Sequence, residues 1–424
     1  MKKYNQFIRM GIPYSWYDSG YGGRLLNNTP PYLYEGRGCG KDFTPQSSLD
    51  VIKYTKEFLH TIPSLKDCPG VDELVSKIIC DPSYAATQYT VHKIPKKSGG
   101  VRTIEAPSPL LKRIQRAILD AWLYPFFPAS IFAMGFVPNR SIRTNAERHF
   151  NEDLKNHQVV LKMDMHNFFP SIHLGVILQA VFKYYQHKCS RRDWLPVPNI
   201  ESLAKTIERQ ETKKARVRFW GEVPAYSTIR DLQYNPVMLR LTYGLVKLCM
   251  LDERLPQGAP TSPALSNLAL MSFDNRLRAV LERVSVARAV YTRYADDMII
   301  STTSVKDALL AKTIVTNMVN STGYLVINPD KTQILCNHLP QKITGININD
   351  KLSISRWKRD KLRAEMHNLI TGKHQLAGNQ MAKISGYRAF MRGVDQQGWD
   401  SRCEKQFQQL KLQTATIRLL AATK

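Results

Sequence analysis

Three aspartates lie at the ends of short apolar stretches of this sequence. Asp164 follows the β-prone run Val-Val-Leu-Lys-Met, and Asp296 with Asp297 separates two further strand-like runs. A carboxylate at the end of a buried strand is costly unless a cation compensates it. Oxygen ligands suit Mg²⁺, and two such ions roughly 3.5–4 Å apart can stabilise the attacking and leaving oxygens of a phosphoryl displacement. Converging carboxylates therefore predict phosphoryl-transfer chemistry; a merely polar hairpin turn is the alternative.

The segments around these aspartates alternate between strand and helix patterns. Two strand-like runs at 91–95 and 101–104 flank a basic turn with paired glycines, which predicts a hairpin. Ser108-Pro109 and Ser262-Pro263 are typical helix starts, and the apolar residues after each recur at helical spacing. A further helical pattern begins near Leu49. The alternation predicts a mixed α/β (α+β) fold.

Positive charge dominates the composition. The chain of 424 residues carries a formal net charge of +25, and residues 351–424 contribute +10 of it in a mostly helical pattern. Such a surplus favours an anionic partner, and basic helices bind nucleic-acid phosphates. A merely solvated charged face is the alternative. The predicted nucleic-acid-binding side chains are Lys112, Arg113 and Arg116 after Ser108, and Arg356, Lys358, Arg359, Lys361 and Arg363 near the carboxy terminus.

Composition also excludes several protein classes. With 43% hydrophobic and 22% charged residues, the chain is expected to fold and not to be disordered. No run approaches the ~20 apolar residues of a membrane span, and the first residues lack a signal-peptide pattern. We therefore expect no membrane partner and a cytoplasmic location. The seven cysteines are dispersed without a Cys-x-x-Cys pair, which predicts reduced thiols and no structural zinc.

The string Tyr294-Ala-Asp-Asp297 resembles the Tyr-x-Asp-Asp signature of reverse transcriptases, and five further blocks resemble the same family in the same order. These blocks are Lys96-Lys97-Ser-Gly-Gly-Val-Arg102 (fingers hairpin), Asp164-Met-His-Asn-Phe-Phe169 (first palm acid), Leu255-Pro-Gln257-Gly258 (Pro-Gln-Gly block), Asn328-Pro-Asp-Lys331-Thr (lysine-bearing palm turn) and Ile343-Thr344-Gly345 (primer-contacting turn). The last block is similar to the Val-Thr-Gly form typical of bacterial retron reverse transcriptases. An ordered set of blocks is far more specific than any one of them.

The resemblance implies a right-hand polymerase fold with fingers, a palm and a helical thumb. It places the fingers at 51–160, the palm at 161–345 and a basic helical thumb at 346–424. An irregular extension rich in glycine and tyrosine precedes them at 1–50, and residues at about 186–254 look like an insertion in the palm. Either additional region could bind RNA, a partner protein or a second copy of the chain.

The family also implies a role for each block. Asp164 and Asp296 would bridge two Mg²⁺ ions, with Mn²⁺ as a substitute, and Asp297 would contribute more weakly. Lys331 would be catalytic by donating a proton to the leaving pyrophosphate, although a simple surface lysine is equally compatible. Phe169 would exclude a 2′-hydroxyl and favour deoxynucleotides, unless it is a core phenylalanine. The implied nucleotide-binding residues are Lys96, Lys97, Arg102, Phe169, Gln257 and Gly258, and the implied primer contacts are Thr344 and Gly345.

The function implied is that of an RNA-directed DNA polymerase that copies a cognate structured non-coding RNA into DNA, in bacterial anti-phage defence. Its partners would be the template RNA, the RNA/DNA hybrid and deoxynucleoside triphosphates; an effector or toxin protein and a homo-oligomer remain open. One alternative is a group II intron-like reverse transcriptase, against which the short segment after the last block argues. The other is a non-catalytic RNA-binding scaffold, against which the intact aspartates argue, because an idle site gains nothing from repelling carboxylates.

Overall fold

The computed structural model describes residues 45–95, 99–150, 158–189, 236–284, 289–375, 378–395 and 399–422. In chain order the elements are α1 (Pro45–His60), α2 (Val71–Cys80), α3 (Pro82–Thr87), β1 (Tyr89–Pro95), β2 (Val101–Pro107), α4 (Pro109–Ile118), a π-helical turn (Leu119–Leu123), α5 (Tyr124–Phe126), α6 (Ile142–His149), β3 (Val159–Met165), α7 (Phe168–Ser171), α8 (Leu174–Cys189), α9 (Pro236–Lys247), α10 (Ser262–Arg283), β4 (Val290–Tyr294), β5 (Asp297–Thr302), α11 (Val305–Asn320), β6 (Ile327–Leu335), β7 (Lys342–Ile343), β8 (Ile346–Asn347), α12 (Arg356–Ile370), α13 (Gln380–Val394) and α14 (Ser401–Ala422). This mixture of helices and sheet confirms the predicted fold class.

Helix α4 begins where the sequence predicts it. The Oγ of Ser108 accepts a hydrogen bond from the backbone N–H of Leu111 at 3.4 Å, and proline occupies the first turn. The predicted apolar face is buried: Leu111, Ile114, Ile118 and Trp122 are each no more than 1% exposed. The face opposite is left to the basic residues, so one helix both packs and presents positive charge.

The chain divides into two compact units. The first contains the described residues within 1–133, 165–277 and 316–327, and the second those within 134–164, 278–315 and 328–424. In the first unit α1 packs against α9 so closely that a Cβ on Gly244 would lie 1.9 Å from Oγ1 of Thr55. Arg240 and Asp50 join the same two helices through an ion pair of 3.3 Å. β1 and β2 form the predicted antiparallel hairpin.

The second unit is built on a four-stranded sheet with the strand order β4-β5-β3-β6. β5 runs antiparallel to both β4 and β3, which confirms the predicted strand at 159–164 and the predicted hairpin after residue 290. The prediction of a turn around Lys331 was wrong, because residues 328–332 belong to strand β6. Pairing with β3 outweighs the turn preference of Asn-Pro-Asp, and an edge strand tolerates Pro329.

One apolar cluster joins this sheet to the carboxy-terminal helices. Val160 and Ile299 contribute from the sheet, Ile343 from β7, and Met366 and Ile384 from α12 and α13, and each is at most 1% exposed. α12 also packs along α14. The predicted helical character of the basic carboxy-terminal segment is therefore confirmed. The division into fingers, palm and thumb stays a prediction.

Some predictions fall outside the described residues. Lys96, Lys97, most of the 1–50 extension and residues 190–235 of the insertion are among them. The described ends of the insertion are helical, since α8 ends at Cys189 and α9 begins at Pro236. Among the described helices none is both long enough and apolar enough to cross a lipid bilayer.

Candidate active site

The pairing of β3 with β5 places two of the predicted acids opposite each other. In the strand register Asp164 faces Asp297, and Asp297 also pairs with Tyr294 of β4. Ala295 and Asp296 form the two-residue connection between β4 and β5. Asp164 is only 7% exposed, whereas the other two aspartates are half-buried. Carboxylates that are more than 130 residues apart thus lie at one end of the sheet.

The turn between β4 and β5 is strained, and contacts from Arg293 and from residues 134–135 hold it in place. Ala295 has a φ of 56°, a left-handed conformation that favours glycine. The fully buried Arg293 donates from Nη1 to the carbonyl oxygen of Ala295 at 3.1 Å. Met134 N–H donates to the carbonyl of Arg293 at 2.7 Å, and a Cβ on Gly135 would lie 2.9 Å from the Ala295 nitrogen. Close packing, and not turn propensity, therefore fixes the loop that carries Asp296.

The negative charges of this cluster are only partly compensated. Burial, followed by the charge of Asp296, raises the pKa of Asp297 to about 6. Lys331 on β6 places Nζ 2.9 Å from Oδ2 of Asp164. This hydrogen bond to Asp164 raises the pKa of Lys331, so the ammonium group stays charged. The nearby lysines lower the pKa of Asp297, but they do not offset the effects of burial and of the neighbouring carboxylates.

The chemistry of this donor set fits hard divalent cations. Asp164, Asp296 and Asp297 offer carboxylate oxygens, and the raised pKa of Asp297 reflects burial and mutual repulsion that a bound cation would relieve. Within the part of the chain that the structure describes, no three acidic, histidine or cysteine side chains already form a complete ligand set. Instead, Lys331 is bound to one oxygen of Asp164. Convergence of all three acids on a pair of ions stays a prediction.

A buried hydrogen-bond network supports the β4–β5 hairpin from α6. His149 bonds through Nε2 to Oγ1 of Thr292 at 2.7 Å and through Nδ1 to Oγ of Ser301 at 2.8 Å. Because Thr292 donates its own proton to Asn145 at 2.7 Å, Nε2–H of His149 is the donor and Nδ1 is the acceptor. Burial lowers the pKa of His149 to about 3, so the ring is neutral. Sequence reasoning missed this network, because no local pattern relates a helix histidine to strand hydroxyls.

In the first unit a buried glutamate, Glu105, connects the strand that carries Arg102 to the turn at Gln257 and Gly258. Glu105 accepts two hydrogen bonds from Arg254, at 2.6 and 2.9 Å, and one from the Gln257 N–H at 3.1 Å. Its own N–H donates to the Gln257 carbonyl at 2.8 Å. A Cβ on Gly258 would lie 2.7 Å from the Glu105 carbonyl oxygen. The pair of Glu105 and Arg254, which sequence reasoning missed, fixes the Gln-Gly turn against the strand that carries the exposed Arg102.

Phe168 and Phe169 open a short helix and do not extend strand β3. Asn167 turns the chain with a φ of 46°, and α7 begins at the next residue. Phe168 is 4% exposed, whereas Phe169 is half-buried, with the two ring centroids 5.3 Å apart. Phe168 is therefore the core residue of the pair. The partial exposure of Phe169 leaves its ring accessible to a ligand.

The basic face predicted for α4 lines a groove in the first unit. Lys112, Arg113 and Arg116 are exposed and border a cavity of about 580 Å³ together with Ser64 and Asp120. Nη2 of Arg113 donates to the Ser64 carbonyl at 2.6 Å, which fixes that guanidinium at the rim. The groove therefore presents three cations on one surface. Their contact with nucleic acid stays a prediction.

The predicted carboxy-terminal cations fall into two groups. Arg356, Lys358 and Lys361 are exposed on α12, and Arg356 is only loosely paired with Asp360 at 3.6 Å. Nζ of Lys361 lies 5.1 Å from the ring centroid of Trp357, which is 68% exposed. An exposed tryptophan flanked by cations is a common means of contacting nucleic acid.

The other two predicted cations take part in helix packing. Arg363 forms an ion pair with Asp400, and its Nε lies 3.1 Å from Sγ of Cys403. Arg359 lies 4.0 Å from the buried Asp395. These guanidinium groups link α12 to the segments that follow it. Their contact with nucleic acid stays a prediction.

The predicted turn at Thr344-Gly345 joins β7 to β8. Both residues have positive φ values, 46° and 90°, as in the mirror-image turns of tight hairpins. Oγ1 of Thr344 donates to the carbonyl of Ile142 at 3.2 Å, which anchors the turn to α6. A Cβ on Gly345 would meet no atom of a non-adjacent residue within 4 Å. The turn is confirmed, and its contact with a primer stays a prediction.

Comparisons with known proteins agree with this geometry. The family described as "Reverse transcriptase (RNA-dependent DNA polymerase)" matches residues 94–348. The chain is similar to the retron Mx65 reverse transcriptase of Myxococcus xanthus, with 31% identity over 290 residues, 68% of this chain and 57% of that protein. The retron Mx162 reverse transcriptase of the same organism is 31% identical over 328 residues, 73% of this chain and 58% of that protein. The retron Ec73 reverse transcriptase of Escherichia coli is 30% identical over 325 residues, 75% of this chain and 87% of that protein. This chain thus spans less than two thirds of the two Myxococcus relatives.

Proposed function

Since the chain belongs to the reverse transcriptase family, among the retron reverse transcriptases, we propose that it is an RNA-directed DNA polymerase. The observation that carries this proposal is the register of β3 and β5, which sets Asp164 opposite Asp297 and beside the loop that holds Asp296. The family resemblance assigns the role of catalytic acids to these three residues. Their position in one sheet supports the assignment.

The reaction would be attack of a primer 3′-hydroxyl on the α-phosphorus of a nucleotide, with expulsion of pyrophosphate. Two Mg²⁺ ions, when bound by the three aspartates, would lower the pKa of the hydroxyl and neutralise the triphosphate. Asp164 and Asp296 would hold these ions, and Asp297 would contribute more weakly. Lys331 carries its proton on Nζ beside Asp164 and would supply it to the departing pyrophosphate.

The first unit would bind the incoming nucleotide. Arg102 would hold its phosphates together with Lys96 and Lys97, because a guanidinium forms two hydrogen bonds at once. Gln257 would border the new base pair, and Gly258 would allow the backbone to lie close to that base pair. The half-buried Phe169 would discriminate against a 2′-hydroxyl, so DNA would be the product.

The template would be a structured non-coding RNA, as the similarity to retron reverse transcriptases suggests. The basic groove of α4 and the exposed cations of α12 would contact phosphates of the RNA and of the RNA/DNA hybrid, with an affinity that falls steeply with salt. A role in anti-phage defence, an effector protein as partner and a bacterial cytoplasmic location complete the proposal.

Primer extension on a defined RNA template tests the proposal. Wild-type protein with Mg²⁺ and deoxynucleotides is expected to extend a DNA primer, and ribonucleotides are expected to be poor substrates. Asp164→Asn and Asp296→Asn should each abolish extension, while Asp330→Asn, an exposed aspartate on β6, serves as the control of equal charge change. Extension that persists in the Asp164 and Asp296 variants, or RNA binding without any extension by wild type, would contradict the proposal and favour a binding scaffold.

A further inference from the structure

Phe136 is a large aromatic residue in a position that burial does not explain. Its side chain is 46% exposed, and its backbone has a φ of 60°. A non-glycine residue in this left-handed region is strained, and such outliers cluster at functional sites. The strained backbone of Phe136 therefore positions a ring that is only partly buried and contributes little to the core.

The position of Phe136 is fixed relative to the catalytic turn. The preceding Gly135 leaves no room for a side chain, since a Cβ would lie 2.9 Å from the Ala295 nitrogen and 3.1 Å from the Tyr294 ring. One residue earlier, Met134 is hydrogen bonded to the carbonyl of Arg293 at 2.7 Å. The segment that carries Phe136 is thus attached directly to the loop that carries the aspartates.

Phe136 and Tyr294 together form one aromatic surface. Their ring centroids are 6.0 Å apart with an angle of 45° between the planes, and both residues retain exposure. Tyr294 is two residues before Asp296, so this surface lies beside the turn that carries one of the predicted ion-binding acids. Flat apolar rings beside a phosphoryl-transfer site are suited to the faces and edges of nucleobases, which they contact without regard to sequence.

We propose that Phe136 is a substrate-contacting residue: its ring, next to that of Tyr294, contacts the terminal base pair of the RNA/DNA hybrid and holds the primer end at the aspartates. The inference rests on the proposed polymerase function and adds a residue that none of the sequence blocks contains. It explains why a strained backbone and an exposed ring occur together at this point. Packing against Tyr294 alone would not require exposure.

The test compares Phe136→Asn with Phe136→Tyr. Asparagine tolerates positive φ but lacks the ring, whereas tyrosine keeps the ring. Leu339→Asn, an exposed apolar loop residue of the same unit, is the matched control. The measurements are the thermal unfolding temperature, the Kd for a primer–template hybrid, and the fluorescence of 2-aminopurine placed at the primer 3′ end.

We expect Phe136→Asn to unfold at the wild-type temperature or above it. The same variant should weaken hybrid binding by about 5- to 150-fold, the loss of one base–aromatic contact, and alter the 2-aminopurine signal. Phe136→Tyr and Leu339→Asn should behave as wild type. A lower unfolding temperature with unchanged binding and fluorescence would show that the ring only packs, and wild type that fails to bind the hybrid would also overturn the inference. Neither readout needs turnover, so wild type that binds but does not extend would contradict only the polymerase proposal.

Discussion

Replacing Asp297 with asparagine should stabilise the metal-free protein while it lowers polymerisation. Burial and the neighbouring carboxylates raise the pKa of Asp297 from 3.8 to about 6, so ionising this group in the folded protein costs free energy. At about 1.4 kcal/mol per pKa unit, the cost amounts to about 3 kcal/mol above pH 7. Asparagine keeps the shape of the side chain and removes the charge.

The pH dependence follows from proton binding. Because the folded state holds the Asp297 proton more tightly than the unfolded chain does, wild type loses stability as the pH rises from about 4 through 6. The variant lacks this loss. Its advantage in free energy of unfolding should be about 1–2 kcal/mol at pH 5 and about 3 kcal/mol at pH 7.5.

Urea unfolding in EDTA at the two pH values measures this difference, with Asp330→Asn as the exposed control, for which we expect no gain. Saturating Mg²⁺ should then stabilise wild type more than Asp297→Asn, because the variant lacks one of the charges that attract the cation. The reasoning would be refuted if Asp297→Asn were less stable than wild type at pH 7.5 without divalent ions, or if its advantage did not grow with pH.

Three further predictions concern groups that hold the site in place. Glu105→Gln should raise the KM for deoxynucleotides and destabilise the first unit by about 1–3 kcal/mol, because Arg254 loses its charged partner; steady-state kinetics and thermal unfolding measure both effects. Ala295→Gly should relieve the positive φ and raise the free energy of unfolding by about 1 kcal/mol, yet lower kcat because the loop loosens, so an unchanged kcat would argue against preorganisation. Because the pKa of His149 is lowered to about 3, the free energy of unfolding of wild type should fall by about 1.4 kcal/mol per pH unit as the pH falls below 6.5. His149→Gln should remove this pH dependence, as measured by urea unfolding at several pH values.

Local chemistry in the sequence was sufficient to predict many elements. The serine cap and proline before Leu111 determine where α4 begins, and the apolar spacing determines which face it buries. The strand before Asp164 and the hairpin around Asp296 were equally predictable, because alternating β-prone residues end at acids. The fold class, that of a right-hand polymerase, is confirmed by membership of the family. The start of α4 and the ends of the strands depend on neighbours that lie close in sequence, whereas the fold class depended on the order of blocks along most of the chain.

Other features depend on partners that are distant in sequence. The residues around Lys331 have the sequence pattern of a turn, but they belong to strand β6 because they pair with β3 at the edge of the sheet. No local pattern singles out Glu105, and its pairing with Arg254 spans 149 residues. Nothing local to His149 indicates its strand partners. Such contacts are selected by the packing of whole elements.

The sequence alone was sufficient to indicate the family, because six blocks occur in the order that reverse transcriptases have, and the family match over residues 94–348 confirms it. The tertiary structure decided which groups face one another: Asp164 opposite Asp297, Lys331 on Asp164, and Phe136 beside Tyr294. The physical reason is that strand register and close backbone contact arise from cooperative packing over the whole unit. The sequence specifies which side chains are present and how they are spaced along the chain, whereas packing determines the surroundings of each one.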